Sequence, residues 1–585
     1  MAKVEFLRDR QRTLCVLKFG SSVLERPEDY RTAAQEVYRH IRDGEKIVAV
    51  VSALAGETDR LLALAAEVGG EPAPALVARL ARTGELHSAA LLALALARMG
   101  MRACTLDPHE MGLVATGDAL DANLEGLDAE AVHAKLVDHD VIVVPGFTAG
   151  HDEHGVVTLG RGGTDLSAVF FAARLGSKRV RLLKDVDGVY AEDPAANPDA
   201  ERYGALSYEM AAEASKGLIQ PKAIEAAKAE GIAIEVAAIG HHEATLIAAL
   251  PARKEVPVRF PKLRVALLGC GAVGAGVLSC LRQRPDLFEV NPVLVRRPEA
   301  HRRGEFADQA FTASLDEALA GKVDLLVEAI GGADGPARLM RNALRRGVHV
   351  VTANKAAVAL HYDALQEAAA EGRASLAYTA GVGGGTPILE TIRRLRAAGA
   401  VVSVEGVMNG TANFLLDRLA DGWAFDAAIA KAQELGFAEA DPATDVDGHD
   451  AADKLSILAR NAFGAALVPA EIARQSLRAV TPALVQAARA RGEVLKQVGR
   501  CRLDEDGSVR AEVVLETLPA AHPLAGARGE ENRFLVTDAD GHVYAVYGKG
   551  AGRWPTTASV FADIMDLQRR LAAAPGEAAL LRLTA

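Results

Sequence analysis

The chain has 585 residues, which is too long for one hydrophobic core and predicts about three or four domains. Half of it is hydrophobic and 24% charged, as in globular proteins, and a net charge of −11 leaves no cationic surplus for a nucleic acid or an anionic membrane. Five scattered cysteines form no CxxC pair, no secretory pattern opens the chain, and the most apolar run (89–101) contains Arg98 and is too short for a bilayer, so a reduced, cytoplasmic setting is expected.

The apolar runs LCVLKFG (14–20), KIVAVVSAL (46–54), DVIVVPGF (140–147) and KRVRLLKDVDGVY (178–190) alternate with helical patterns. Continuous apolar strands between amphipathic helices predict an α/β fold around a largely parallel sheet. Four features stand out within it. Lys18 follows a strand and opens KFGSSVL. Glu85 lies in TGELHSA at a helix start. GRGGTD (160–165) separates VVTL from a helical stretch, and KDVDGVYAEDP (184–194) follows VRLL. Glycine turns between strand and helix cradle phosphate on backbone N–H groups, and a lysine there neutralises charge on a transferring phosphoryl group. Taken singly, each is as compatible with an ordinary turn, and GxxxxGK[ST] is absent.

Residues 251–261, PARKEVPVRFP, read as a linker because three prolines interrupt any helical period. The βαβ rhythm then restarts with LRVALLGCGAVGAG (263–276) and continues through PVLVRR, VDLLVEAIGG and VHVVTANK. Gly269, Gly271 and Gly274 form GxGxxG between a strand and a helix, with Ala272 and Val273 opening the helix, so a dinucleotide pyrophosphate is expected on that helix N-terminus. Where NAD sites carry an acidic ribose-reading residue this chain has Arg296 and Arg297, which suit the 2′-phosphate of NADP(H). The alternative is a solvated arginine pair.

From about Ala380 the pattern changes to glycine-rich loops, helices and antiparallel strands, closed by an amphipathic helix over 557–573. The segment GFAEADPATDVDGHDAADKLSILA (436–459) supplies the groups that an aldehyde reduction needs. Asp450 and Lys454, four apart, share a helical face, and Glu439 precedes them. The carboxylates could hold a substrate ammonium while the lysine acts as acid or base; a surface ion pair would leave the same spacing. Lys355, ending VHVVTANK, is placed at the crevice where open α/β sheets bind ligands.

GxGxxG, VEAIGG, VVTANKA, VGGGTPI, MNGTANFLL, AEADPATDVDGHDAADKL and GKGAGRWPTTASV occur in the order seen in homoserine dehydrogenases, so residues 262–573 resemble that family. The resemblance implies NADPH-dependent reduction of aspartate semialdehyde to homoserine, with Lys454 as acid/base residue and Lys355 as a second catalytic lysine beside the nicotinamide. It assigns Glu439 and Asp450 to the substrate amino group, and Gly550 to the cofactor. It also implies a monovalent cation on the backbone carbonyls of Val382, Gly384 and Thr386, although Thr379 stands where the family has Glu. A homo-oligomer, at least a dimer, is implied as well.

KFGSSV, VVSALAGETD, TGE, GRGGTD, DVDGVY and IQPKA resemble, as a set, the amino-acid kinase fold and most closely aspartokinase. That implies ATP and magnesium, with Lys18 on the transferring phosphoryl group, Glu85 on the aspartate ammonium, Arg161 on its carboxylate, and Asp185 and Asp187 at the nucleotide. Ser21, Ser22 and Val23 replace Gly, Thr and Ser, Lys184 replaces Thr and Gln220 replaces His. Two readings therefore stay open: a bifunctional kinase–dehydrogenase, or a dehydrogenase whose kinase-like half serves binding or assembly.

The expected order is a kinase-like domain (1–250), the linker (251–261), a dinucleotide-binding domain of the Rossmann type (262–378), an α+β catalytic and dimerisation domain (379–555), and a C-terminal helix returning to the dinucleotide domain (556–585). Fusions of these enzymes usually carry ACT regulatory modules of about 150 residues or more. Only the linker separates the halves here, so inhibition by threonine or lysine through such modules is not expected.

Overall fold

In the computed structural model, which describes residues 13–197, 199–215, 217–257, 260–301, 304–435, 438 and 441–572, the chain divides into two units, one up to Pro257 and one from Phe260. In the first, the apolar runs become β1 (Leu14–Phe19), β2 (Lys46–Val51), β3 (Val141–Pro145), β4 (Arg179–Lys184) and β5 (Ala233–Ala238). They belong to a nine-stranded sheet ordered Arg253–Glu255, Arg202–Leu206, Thr245–Ile247, β5, β4, β1, β2, β3, Ala103–Thr105. The run from β5 to Ala103–Thr105 is parallel throughout, which explains strands apolar on both faces: Val16, Leu17, Val48 and Val50 are fully buried.

Within the segment read as a linker, Arg253–Glu255 pairs antiparallel with Arg202–Leu206. As an edge strand it tolerates charged side chains, and Pro251 and Pro257 flank the ladder without having to donate to it. Glu85 is not at a helix start but midway along α1 (Pro74–Arg98). Gly84 permits this, because a Cβ there would already press on Ala53 and Leu61 at 3.1 and 3.3 Å. The helix GTDLSAVFFAAR, α2 (Gly163–Arg174), starts at the glycine turn as expected, with Gly162 as a left-handed N-cap.

The second unit holds β6 (Leu263–Leu268), α3 (Ala272–Arg282), β7 (Leu325–Glu328), α4 (Asp334–Arg345), β8 (His349–Thr352) and α5 (Lys355–Gly372). The strands β6, β7 and β8 are parallel neighbours in a seven-stranded sheet. Alternation sends Val265, Leu267 and Val327 to one face with α3, while Leu268, Leu326 and Val350 meet α4 and α5 on the other. The face with α3 is completed by the closing helix, α8 (Arg553–Ala572), whose Val560, Phe561 and Ile564 join that core. Gly276 makes the approach possible, since a Cβ there would lie 2.1 Å from Thr557 Oγ1.

The remaining residues form a six-stranded sheet ordered Ala473–Arg474, Val509–Pro519, β10 (Glu493–Leu503), β9 (Val401–Val407), Glu531–Asp538, Val543–Lys549, antiparallel apart from its first pair. Two helices near it bear on function, α6 (Gly410–Ala420) and α7 (His449–Phe463). Leu455 and Leu458 of α7 share a core with Val404, Cys501 and Phe534 of the sheet. No helix among the described residues is long and apolar enough to cross a membrane.

Candidate functional site

In the second unit, Asp450 and Lys454 lie on the first turns of α7, which starts after Gly448 in the left-handed region (φ 77°). Asp450 is 4% exposed and Lys454 7%. Lys454 Nζ donates to Asp450 Oδ2 at 2.7 Å and to the Met408 carbonyl at 2.6 Å. Lys355 Nζ lies 3.0 Å from Asp450 Oδ1, so one buried carboxylate is shared by two ammonium groups. Lys355 does not end a strand: β8 stops at Thr352 and Lys355 is the first residue of α5, because Asn354 caps that helix by accepting from Ala357 N. Glu439 lies outside the described residues.

Asn409, not singled out in the sequence, caps α6 by accepting from Ala412 N at 2.7 Å. Its amide also donates to Asp445 Oδ1 at 2.7 Å and Asp450 Oδ2 at 2.8 Å. Burial alone would raise the Asp450 pKa, but Lys454 and Lys355 outweigh it and hold the group well below the usual carboxylate range. Asp450 in turn raises the pKa of Lys355. Asp445 is shifted upward, by burial first and by the nearby Asp450 charge as well. The neighbouring carboxyls thus differ in kind: Asp450 is a fixed anion, while Asp445 holds a proton more readily.

A second network missed in the sequence fixes the strand ends. Glu328, 1% exposed, accepts from Thr352 Oγ1 at 2.5 Å and from Ile330 N at 2.8 Å, and Asn354 Nδ2 donates to the Gly332 carbonyl at 2.7 Å. It ties VEAIGG to the start of α5.

The turn after β6 has the shape that a pyrophosphate requires. Gly269 has φ 98°, and a Cβ there would lie 2.5 Å from the Ala329 carbonyl; at Gly274 it would lie 2.1 Å from the Gly269 carbonyl. Gly271, the N-cap of α3, is different: a Cβ would meet nothing within 4 Å, so its missing side chain leaves open space over the helix N-terminus. These residues fit a dinucleotide, whose pyrophosphate would rest on the N–H groups of the turn and of Ala272 and Val273. Arg296 and Arg297 are exposed just after the strand Val293–Leu294, and nothing acidic stands between strand and pair.

Val382, Gly384 and Thr386 are buried in a glycine loop that packs tightly on Gly550: a Cβ on Gly384 would be 2.6 Å from the Gly550 carbonyl. The Thr386 carbonyl already accepts from Ile388 N at 2.8 Å. Thr379 faces the closing helix, its hydroxyl 2.8 Å from both carboxylate oxygens of Asp563.

In the first unit, Lys18 lies within β1 instead of following it, and its Nζ is 2.7 Å from Asp165 Oδ1 at the start of α2. Lys184, the last residue of β4, reaches Asp165 Oδ2 at 3.1 Å. Burial raises the Asp165 pKa, but the two lysines outweigh it and leave the group below its ordinary value. Glu85 is 2% exposed; its Oε1 accepts from Ala53 N at 3.1 Å, while its buried Oε2 has no partner among the described residues. Burial pushes the Glu85 carboxyl up to about 8. Arg161 and Asp185 are exposed, and Asp187 accepts from the Tyr190 hydroxyl at 2.7 Å. Glycine-rich turns, two cations and one buried carboxyl with an unmatched oxygen thus lie at the C-terminal ends of parallel strands, where such sheets bind ligands. Their chemistry fits a nucleotide phosphate.

The family described as homoserine dehydrogenase matches residues 387–565, its NAD-binding domain 269–379, and the amino acid kinase family 13–238. The homoserine dehydrogenase of Lactococcus lactis is 36% identical over 321 residues, covering 53% of this chain and 74% of the relative. That of Synechocystis is 35% identical, covering 52% of this chain and 73% of the relative. The crystal structure of a homoserine dehydrogenase from Thiobacillus denitrificans is 33% identical with a TM-score of 0.51, over 54% of this chain and 75% of that one. From Phe260 on, the chain belongs to the homoserine dehydrogenase family, with a domain of the amino acid kinase family ahead of it.

Proposed function

We propose that the second unit reduces L-aspartate 4-semialdehyde to L-homoserine with NADPH, and that the first phosphorylates the side-chain carboxylate of aspartate with ATP and magnesium. The observation that carries the first reading is one buried anion, Asp450, gripping two lysine ammonium groups in the same unit as a dinucleotide turn. NADPH, when bound, supplies the hydride to the aldehyde carbon. Lys454 donates a proton to the carbonyl oxygen as it gains negative charge, so that the alcohol leaves neutral. Asp450 cannot be that donor, because its pKa is held far below neutrality. It orients Lys454 and Lys355, with Asn409 fixing the carboxylate from a third side, and together with Glu439 it is the group that would meet the substrate ammonium. Lys355, at the mouth of the same cluster, adds a positive charge toward the developing oxyanion.

Arg296 and Arg297 support NADP over NAD, because exposed guanidinium groups at that strand end suit a 2′-phosphate. The carbonyls of Val382, Gly384 and Thr386 would hold the monovalent cation without a carboxylate from Thr379. We also read the chain as a cytoplasmic homo-oligomer, at least a dimer. The domain boundaries belong to this reading: 1–250, 251–261, 262–378, 379–555 and 556–585.

For the kinase reading, the orphaned Glu85 Oε2 is the main support. A neutral, buried carboxyl gives up its proton when a substrate ammonium arrives, forming the ion pair that positions an amino acid. Lys18 then neutralises charge between the two reacting anions. The experiment is acyl hydroxamate formation with ATP, hydroxylamine and aspartate. Product that disappears in Lys18→Met supports this reading; no product with aspartate or glutamate favours a binding or assembly module instead. For the dehydrogenase, NADPH-dependent loss of aspartate semialdehyde must be seen, and its absence would refute the reading.

A further inference from the structure

Between α4 and α5 lies a cavity of about 460 Å³ lined by Asp334, Ala337, Arg338, Arg341, His361, Ala364 and Leu365, none of which belongs to the site above. Two exposed contacts between the helices flank it. Asp334 Oδ1 meets His361 Nε2 at 2.9 Å at one end, and Arg345 pairs with Glu371 at 2.7 Å toward the other. Between those clamps the stripe on α4 continues with Arg338 and Arg341, which share a face with Asp334 and Arg345 by helical spacing. Neither arginine has an ion-pair partner among the described residues, and Arg341 Nε is buried without a hydrogen bond there. That Nε is a donor with no acceptor among the described residues, on a half-buried side chain next to the exposed Arg338. The floor is apolar, made of Ala337, Ala364 and Leu365.

The helix on the other side is bent at the same place. Within α5, His361 departs from helical geometry (φ −122°, ψ 21°). This helix begins with Lys355, whose ammonium touches Asp450. The cleft and the catalytic cluster therefore share one element, separated by roughly 9 Å along its axis at about 1.5 Å per residue.

We propose that the α4–α5 cleft is a regulatory site for a small organic carboxylate with an apolar body. The carboxylate bridges Arg338 and Arg341, a fork geometry that guanidinium groups match well. The apolar body lies against the half-buried Ala364, above the buried Ala337 and Leu365 through which α4 and α5 already share a core. Binding biases the bend at His361 and, through it, the placement of Lys355. The binding claim is independent of the function proposed above; the turnover claim rests on it.

The test uses the full chain and three probes: 4-methyl-2-oxopentanoate, leucine, and inorganic phosphate, with chloride matching the ionic strength. The oxo acid is expected to raise the melting temperature saturably and to change NADPH-dependent turnover by about fivefold or more, with the same half-saturation for both. The double variant Arg338→Met/Arg341→Met keeps the aliphatic stems and the basal turnover but loses both responses. Leucine responding like the oxo acid also supports the site, since the shared carboxylate and apolar body are what the cleft reads. No saturable shift with either carboxylate, an undiminished shift in the double variant, or equal binding of phosphate would overturn the proposal. Stabilisation without any change of turnover would overturn its regulatory half, and if the wild-type chain turns nothing over, the melting shift alone still decides the binding half.

Discussion

Replacing Lys454 by Met should abolish most dehydrogenase turnover while leaving the fold and cofactor binding in place. Methionine keeps an apolar stem of similar length, so the packing of α7 against the sheet is largely retained. What goes is an ammonium group with two acceptors, Met408 O at 2.6 Å and Asp450 Oδ2 at 2.7 Å. Asp450 keeps Lys355 at 3.0 Å and Asn409 at 2.8 Å, so the buried carboxylate stays compensated. The stability loss is therefore that of two hydrogen bonds from a charged donor, about 1.5–3 kcal/mol each. A general acid contributes about 10²–10⁴ to a rate. Turnover should fall by that factor, roughly 3–5 kcal/mol on the barrier at about 1.4 kcal/mol per decade. NADPH oxidation with aspartate semialdehyde reports the rate, and fluorescence titration reports cofactor affinity. Turnover within about tenfold of wild type, below the range expected of a lost acid, would refute Lys454 as the proton donor. A parallel loss of NADPH binding would show that the cluster had collapsed.

Two glycines of one turn should separate folding from binding: Gly269→Ala, with φ 98° and a carbonyl 2.5 Å from the new Cβ, should lose about 1–3 kcal/mol of stability, whereas Gly271→Ala should melt like wild type and bind NADPH more weakly. Unchanged affinity in Gly271→Ala would remove the pyrophosphate from that position. Replacing Arg296 and Arg297 together by Ala should cut the preference for NADPH over NADH by about 10–100-fold, the worth of a charge-assisted contact; an unaltered ratio of kcat/KM values counts against a 2′-phosphate there. Glu85, with its pKa raised to about 8, binds a proton in the folded state that the unfolded chain has already released above its ordinary range near 4.5. Its contribution is therefore present at low pH and lost as pH rises toward 8, with a slope of about 1.4 kcal/mol per pH unit. Glu85→Gln should flatten that window in denaturant unfolding between these pH values; identical slopes in the two proteins would exclude a buried proton on Glu85.

The parts legible in the sequence are those whose signal is local. The run LRVALLG followed by GxGxxG gives strand, turn and helix within one window, and the structure places β6 and α3 there. Asp450 and Lys454 share a face because helical spacing alone decides it. Contacts between distant segments carry no such signal. Asn409 is recognisable as a helix cap, yet its grip on Asp450 spans 41 residues and depends on how α6 meets α7. Likewise Asp165 becomes the hub of Lys18 and Lys184 only because the parallel sheet brings β1 and β4 side by side. Glu85 is hidden for the opposite reason: Gly84 looks like a helix boundary, and only tertiary packing shows that the helix runs through it.

The closing helix has a consequence for how the protein is made. Thr557 donates to the carbonyl of Val273, a residue 284 positions earlier, and Gly276 is shaped to receive it. A nascent chain emerging from the ribosome can assemble the sheet strands of the nucleotide fold but not cover their α3 face until this last segment arrives. Val265, Leu267 and Val327 would meanwhile line an open apolar surface, and polypeptides cut short before Arg553 should be the species that chaperones and proteases collect.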